Sequence, residues 1–174
     1  MPLFPRLQPD LVLGSSVLDL TPELLARYQI KGLVLDVDDT IVSIGSKIAQ
    51  PEIIQWIAEI SQVGPICLVT NNPNQVRISA IADSLSLPYF LRAGKPSRRK
   101  LRQAVINMGL EPSQVAMVGD RIFTDVLAGN RLGMFSILID PMPGEDNSLN
   151  FELLRRAEFV LAKICGVSLK RYKS

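Results

Sequence analysis

Five short clusters in this sequence hold the residue types that handle phosphate and metal: Asp36-Val37-Asp38-Asp39-Thr40, Thr70-Asn71-Asn72, Lys95-Pro96, Gly119-Asp120 and Thr124-Asp125. Asp36 and Asp38 are two apart, so on an extended segment both carboxylates project to the same side and meet one ligand. Paired carboxylates call for a cation. Hard oxygen ligands on a compact site suit Mg²⁺, which usually takes one or two carboxylates plus substrate phosphate, and Asp120 is the natural further ligand. A carboxylate beside Mg²⁺ stays ionised, so Asp36 is expected to attack a phosphate monoester and become an aspartyl phosphate. Asp38 is placed to give the leaving alcohol its proton and then to activate water. Thr70 can donate its hydroxyl to a phosphoryl oxygen, Lys95 offers a point charge to the same group, and Asn71 is a further donor. Asp125 is expected to orient the metal shell or its waters rather than bind the ion alone.

Chemistry of this kind needs elements that bring distant residues to one edge. From Lys31 onward, short runs rich in β-branched residues alternate with stretches of helical period, the signature of βαβ units. The pattern predicts an α/β fold with a mainly parallel sheet and helices on both faces. Strands are expected at 32–37, 65–70, 89–91, 115–118 and 135–139, and helices at 51–61, 74–85, 97–108, 124–130 and 151–164. In such sheets the loops at the carboxyl ends of the strands form the site, and those loops are where the clusters fall. One domain is expected over 1–174. Residues 1–30 form a prelude packed on or near the core, 31–140 carry the motifs, and 141–174 supply a loop, at 141–150, and a last helix.

Any one of these residues has a bland explanation, since an Asp at a strand exit is most often a cap or turn residue. What favours chemistry is the ordered set, each member at a strand exit. Asp39 reads equally as a solvated carboxylate near the metal or as a catalytic group. Thr40 reads as structural, tying the loop after Asp38 through its hydroxyl.

Composition narrows the alternatives. The 174 residues are 47% hydrophobic and 21% charged, which fits a folded chain of about one domain. The net charge of +2 demands no nucleic acid. With no histidine, Ser-His triads and imidazole metal sites are excluded. Two cysteines make no disulfide framework, no long apolar segment follows Arg6, and the expected location is cytoplasmic.

At the clustered residues the sequence resembles the haloacid dehalogenase (HAD) superfamily: DVDDT matches DxDxT, Thr70 the second motif, Lys95 the third, and GDRIFTD the acidic fourth. More narrowly, GDRIFTDVLAGNRLG, LVTNN, AGKP and PDLVLGSSVLDLTPELL resemble the YqeG-type group of subfamily IIIA, which includes phosphatidylglycerophosphate phosphatases of mitochondria and plastids. The resemblance implies a three-layer Rossmann-like fold. It also implies Asp36 as nucleophile, Asp38 as acid/base that lends its backbone carbonyl to Mg²⁺, and Asp120 as metal ligand.

The intervals between Thr40, Thr70 and Lys95 leave room for about one helix and one strand each, so no inserted cap domain is expected. An uncapped cleft suits a large or surface-held phosphate such as a membrane phospholipid. A second subunit covering the cleft is the alternative. Phe4, Leu7, Leu11, Val12 and Leu13 are apolar enough to touch a bilayer but are expected to pack across the sheet. Arg98, Arg99, Lys100 and Arg102, and Lys170, Arg171 and Lys173, read as solvated faces that can also draw the chain peripherally to an anionic membrane.

Rival functions are weaker. Cys165 and Arg171 match C-x5-R of cysteine phosphatases, but the cysteine follows a helical period and no helix follows to hold the anion. Cys67 is expected inside its strand. A non-catalytic phosphate-binding scaffold has no need of the whole acidic set, whereas transfer of phosphate to an acceptor other than water shares the first half-reaction.

Overall fold

Strands that sit inside a parallel sheet are covered on both faces and must be apolar throughout. A computed structural model, which describes residues 4–142 and 149–172, has six strands: β1 (Leu11–Val12), β2 (Gly32–Leu35), β3 (Ile66–Val69), β4 (Tyr89–Phe90), β5 (Val115–Gly119) and β6 (Phe135–Leu138). Every residue of β2, β3 and β5 is buried. The strands pair in parallel in the order β1-β6-β5-β2-β3-β4. The chain winds outward from β2 in one direction and returns through β5 on its other side, so the crevice at a switch point opens above β2 and β5.

Among the described residues six α-helices accompany them: α1 (Pro22–Arg27), α2 (Pro51–Ile60), α3 (Gln75–Leu85), α4 (Arg99–Met108), α5 (Leu127–Leu132) and α6 (Leu149–Ile164). Alternate strand residues separate two apolar layers. Leu33, Leu35 and Leu68 pack with Ile53, Ile57 and Ile60 of α2 and Ile78 and Ile81 of α3. Val34, Cys67 and Val69 pack with Leu101, Ala104 and Val105 of α4 and Ala128 of α5. Local chemistry marks the helix ends. Pro51 opens α2, the Asn74 side chain caps α3 by accepting from the Arg77 amide, and Gly109 closes α4 in the left-handed conformation.

Three regions differ from the sequence expectation. The prelude contributes an edge strand and a helix that period alone did not mark, because two and six residues are too few to show a pattern. Asp10 pins that edge, its carboxylate accepting from the amide (2.8 Å) and hydroxyl (3.0 Å) of Ser136. The helix expected at 124–130 is a π-helical turn, Ile122–Val126, leading into α5. The final helix begins at Leu149, inside the expected 141–150 loop, of which 143–148 lie outside the described residues. Lys173 also lies outside them.

Candidate active site

The crevice collects the first residue beyond each central strand. Asp36 follows β2 and its amide donates to the carbonyl of Val118, which seats it beside β5. Asp120 follows β5. The π-turn then carries Asp125 back over the strand end, since the amides of both Asp125 and Val126 donate to Arg121 O. Gly119 makes this approach possible, because a Cβ there would lie 2.4 Å from Asp125 Oδ2. One oxygen from each of Asp36, Asp120 and Asp125 lies within 4.8 Å of the others.

Lys95 enters the same nest. Its ammonium, on a nearly fully buried side chain, sits 2.7 Å from Asp36 Oδ1 and 2.7 Å from Asp125 Oδ1. Three carboxylates against one ammonium leave an excess of two negative charges in a dry place. Burial, opposed by Lys95 and reinforced by Asp125, pushes the Asp36 carboxyl up to about 7. Burial, with Asp125 and Asp36 adding repulsion, raises Asp120 well above the usual range. Burial works to lower Lys95, but the carboxylates of Asp125 and Asp36 outweigh it and hold the amine above its ordinary value. Neither carboxylate oxygen of Asp120, which is wholly buried, has a hydrogen-bond partner among the described residues. Orphaned buried acceptors beside two more carboxylates fit a small hard dication.

Asp38 is handled differently. Its carboxylate is not part of the three-carboxylate cluster, contrary to the expectation that Asp36 and Asp38 would meet one ligand. Beyond Asp38 the chain turns, with Asp39 at φ 58° and the amides of Thr40, Ile41 and Val42 all donating to Val37 O. Asp38 instead accepts an ion pair from Arg77 at 2.6 Å and a hydrogen bond from Asn72 at 2.9 Å. Asp125, expected to act behind the metal shell, stands in the cluster itself.

Other expected residues also take defined places. Asn71 clamps the Lys95 backbone, its Oδ1 accepting from Lys95 N (2.7 Å) and its Nδ2 donating to Lys95 O (3.1 Å). Thr70 is buried and its hydroxyl accepts from the Asn72 amide. Asp39 is not solvated: it is 1% exposed, adopts φ 58°, and caps the amide of Ile44. Thr40 ties the loop through its amide rather than its hydroxyl, which is buried without a partner among the described residues.

Arg77 is the member that sequence reasoning passed over, and Asn72, named in its cluster, carried no role there. Arg77 is buried, and besides Asp38 it donates from Nε to Ser46 O at 2.6 Å. A signal was present: Arg77, Ile81 and Leu85 share the buried stripe of α3, and a cation on an apolar stripe needs a fixed partner. Asp36, Asp38, Thr70, Asn71, Asn72, Arg77, Lys95, Asp120, Arg121 and Thr124 line one cleft of about 360 Å³. Cys165, by contrast, follows the end of α6, and Arg171 pairs with Asp140. Burial pushes the Cys67 thiol up to about 12, leaving it inert.

Known proteins align with this arrangement. A sequence model described as HAD-hydrolase-like matches residues 92–142. Over 132 residues the chain is 33% identical to the probable phosphatase YqeG of Bacillus subtilis, covering 76% of this chain and 77% of that one. It is 25% identical over 150 residues to phosphatidylglycerophosphate phosphatase 1, chloroplastic/mitochondrial, of Arabidopsis thaliana, covering 81% of this chain but 43% of the plant protein. An uncharacterized protein from Listeria monocytogenes superposes with a TM-score of 0.55 at 12% identity, over 77% of this chain and 99% of that one, a likeness of fold.

Proposed function

Because the chain belongs to the HAD-like hydrolases, in the group of the Bacillus YqeG phosphatase, and is a phosphatase of that type, we propose that it hydrolyses phosphate monoesters through Asp36. The observation that carries this reading is the dry nest of Asp36, Asp120 and Asp125, in which one ammonium pairs with Asp36 and Asp125 and leaves Asp120 unpartnered. Mg²⁺ would be held there by Asp36 and Asp120, with Asp125 in the same cluster. When bound, the ion draws charge from the phosphoryl oxygens.

An Asp36 carboxylate oxygen attacks phosphorus, and the bond from phosphorus to the ester oxygen breaks. Asp38 gives its proton to the departing alkoxide. Water then attacks phosphorus of the aspartyl phosphate while Asp38 takes the proton, and Asp36 is regenerated as inorganic phosphate leaves. Lys95 neutralises Asp36 and meets phosphoryl charge, and the Thr70 hydroxyl donates to a phosphoryl oxygen. Asn71 serves by fixing the Lys95 backbone, and Arg77 and Asn72 hold Asp38 at the mouth of the cleft.

The same proposal treats 1–174 as one uncapped catalytic unit. Between Thr40 and Thr70 lie α2 and β3, and between Thr70 and Lys95 lie α3 and β4. An open cleft favours a phosphate presented by something large, and similarity to the plant enzyme suggests phosphatidylglycerophosphate at a membrane surface. Arg98, Arg99 and Arg102 beside Lys95, with Arg131, line a basic groove suited to anionic surroundings. No described helix is long and apolar enough to cross a membrane.

The test is release of free phosphate from a panel of phosphate monoesters, with and without Mg²⁺, comparing kcat/KM for the lipid in mixed micelles with that for soluble sugar and nucleotide phosphates. Beryllium fluoride should form its adduct on Asp36. Phosphate appearing on an added alcohol rather than in solution would make the enzyme a phosphotransferase, and better turnover of the soluble set would remove the lipid.

A further inference from the structure

Helix α6 turns two apolar faces outward from its axis, and the fold covers only one. Glu158 and Ala162 are buried on its inner side, and Glu158 pairs with Arg121, a residue of the catalytic cleft. On the outer side Leu153, Leu154, Val160, Leu161 and Ile164 are between 48% and 70% exposed. Their spacing of seven, eight and eleven residues from Leu153 forms one continuous stripe. A monomer gains nothing by presenting such a stripe to water.

The flanks of this stripe differ. On one side Phe4, Pro5, Leu7, Phe123, Leu127 and Cys165 line an apolar groove of about 450 Å³, and Phe4 is itself 56% exposed. On the other, Arg155, Arg156 and Arg171 line a groove of about 570 Å³ together with Asp140 and Val160. The described carboxylates nearby are already engaged: Asp140 by Arg171 and Arg155, and Glu158 by Arg121. Lys163 and Lys170 add exposed positive charge. Apolar side chains edged by cations are the arrangement that lies in a membrane interface, with leucines at the acyl boundary and cations at anionic headgroups.

We propose that the outer face of α6, with the arginine-lined groove on its flank, is a docking surface for an anionic lipid bilayer. The charge on the flank selects this occupant over a second copy of the chain, whose own α6 would bring the same cations against it. Glu158 ties the docked helix to Arg121, which lines the cleft, so the protein would sit on the bilayer with its active site joined to the docking helix. This deepens the lipid reading above, but docking is measured without turnover and stands or falls separately.

The experiment is cosedimentation of the whole protein with vesicles of phosphatidylcholine alone or mixed with phosphatidylglycerol, neither of which carries a phosphate monoester. Binding to the anionic vesicles, weakened by added salt, is expected. Leu161→Ser with Ile164→Ser should lower the bound fraction about tenfold, and Lys163→Glu should lower it severalfold. Both should keep wild-type turnover of a soluble chromogenic phosphate, which certifies the fold and the site. No binding by the wild type, or equal binding by the variants, overturns the proposal. So does loss of binding only when Arg98 and Arg102 are reversed to Glu, which would move the surface to α4. A concentration-dependent dimer by light scattering that the leucine variant abolishes would assign the stripe to a second copy.

Discussion

Asp36 and Asp38 stand two residues apart and live in different media. Asp36 lies in a nest of three carboxylates with one ammonium, where burial raises its pKa to about 7. Asp38 lies at the mouth of the same cleft, a fifth exposed, with both oxygens engaged by Arg77 and Asn72. The difference teaches how one loop can supply two carboxylates with separate duties, because environment rather than residue type divides the work. In the proposed mechanism the dry carboxylate is completed by a cation and attacks, and the wet one, held by donors and reaching solvent, exchanges protons.

Removing the dry carboxylate tests the division most severely. Asp36→Asn should lower kcat by about a thousandfold or more, about 4 kcal/mol of barrier, since an amide neither attacks phosphorus nor holds a cation as an anion. The check is phosphate release under saturating substrate. A residual rate within about tenfold of wild type, only about 1.4 kcal/mol, would move the nucleophile elsewhere.

The second comparison is between pH values. The folded carboxyl of Asp36 has a raised pKa, so its contribution to stability is present below the ordinary carboxylate value of 3.8 and is lost as pH rises through about 7. Asp120 shifts in the same direction. The metal-free protein therefore becomes less stable from this nest as the solution moves from pH 5 to 8, about the interval in which a divalent cation finds its ligands ionised. At a hundredfold excess over Kd, Mg²⁺ should add about 2.7 kcal/mol at pH 8, a rise in Tm of roughly 5–10 °C, and much less at pH 5. Thermal unfolding with Mg²⁺ and with EDTA at both values is the measurement. A metal effect independent of pH would mean that the Lys95 charge, not burial, governs the nest.

Gly119→Ala presses on the dry side without touching a charge. Its Cβ would crowd the Asp125 carboxylate, so Asp125 must retreat from Asp36 and Asp120. Affinity for Mg²⁺, read by titration of activity, should weaken about tenfold, in line with loss of a group that supports a metal site, while turnover at saturating metal falls less. Unchanged affinity would show that Asp125 is dispensable to the cation.

How far the sequence foretold this difference follows from where information is stored. Long buried strands and amphipathic helices announce themselves by period, and the strand exits then point to Asp36, Thr70, Lys95 and Asp120 without any coordinates. Two things were not legible. The π-turn at Ile122–Val126 looks like ordinary helix in one dimension, so the placement of Asp125 in the nest had to come from three. The departure of Asp38 from Asp36 depends on loop hydrogen bonds to Val37 O and on Arg77, more than thirty residues away in sequence. Alternation of side chains predicts a shared face, but it does not predict that Arg77 and Asn72 draw the Asp38 carboxylate to themselves.

Arg77 is accordingly where the wet half of the comparison breaks. Its guanidinium joins Asp38 to the carbonyl of Ser46 and so holds the loop of residues 43–46 and the proposed acid/base in one frame. Replacing it by Met keeps apolar bulk on the buried stripe of α3 but leaves Asp38 with Asn72 alone. Because Asp38 is partly exposed, water takes up much of the lost interaction and the cost to the fold should stay near about 1–2 kcal/mol. The catalytic effect should be about tenfold in kcat with little change in the affinity for Mg²⁺, since the dry nest is untouched. Rescue separates positioning from simple destabilisation, because Arg77→Lys keeps a cation beside Asp38 and should restore part of kcat. A variant that loses stability but keeps its kcat would reduce Arg77 to a strut for the loop and leave Asp38 without a positioning partner on α3.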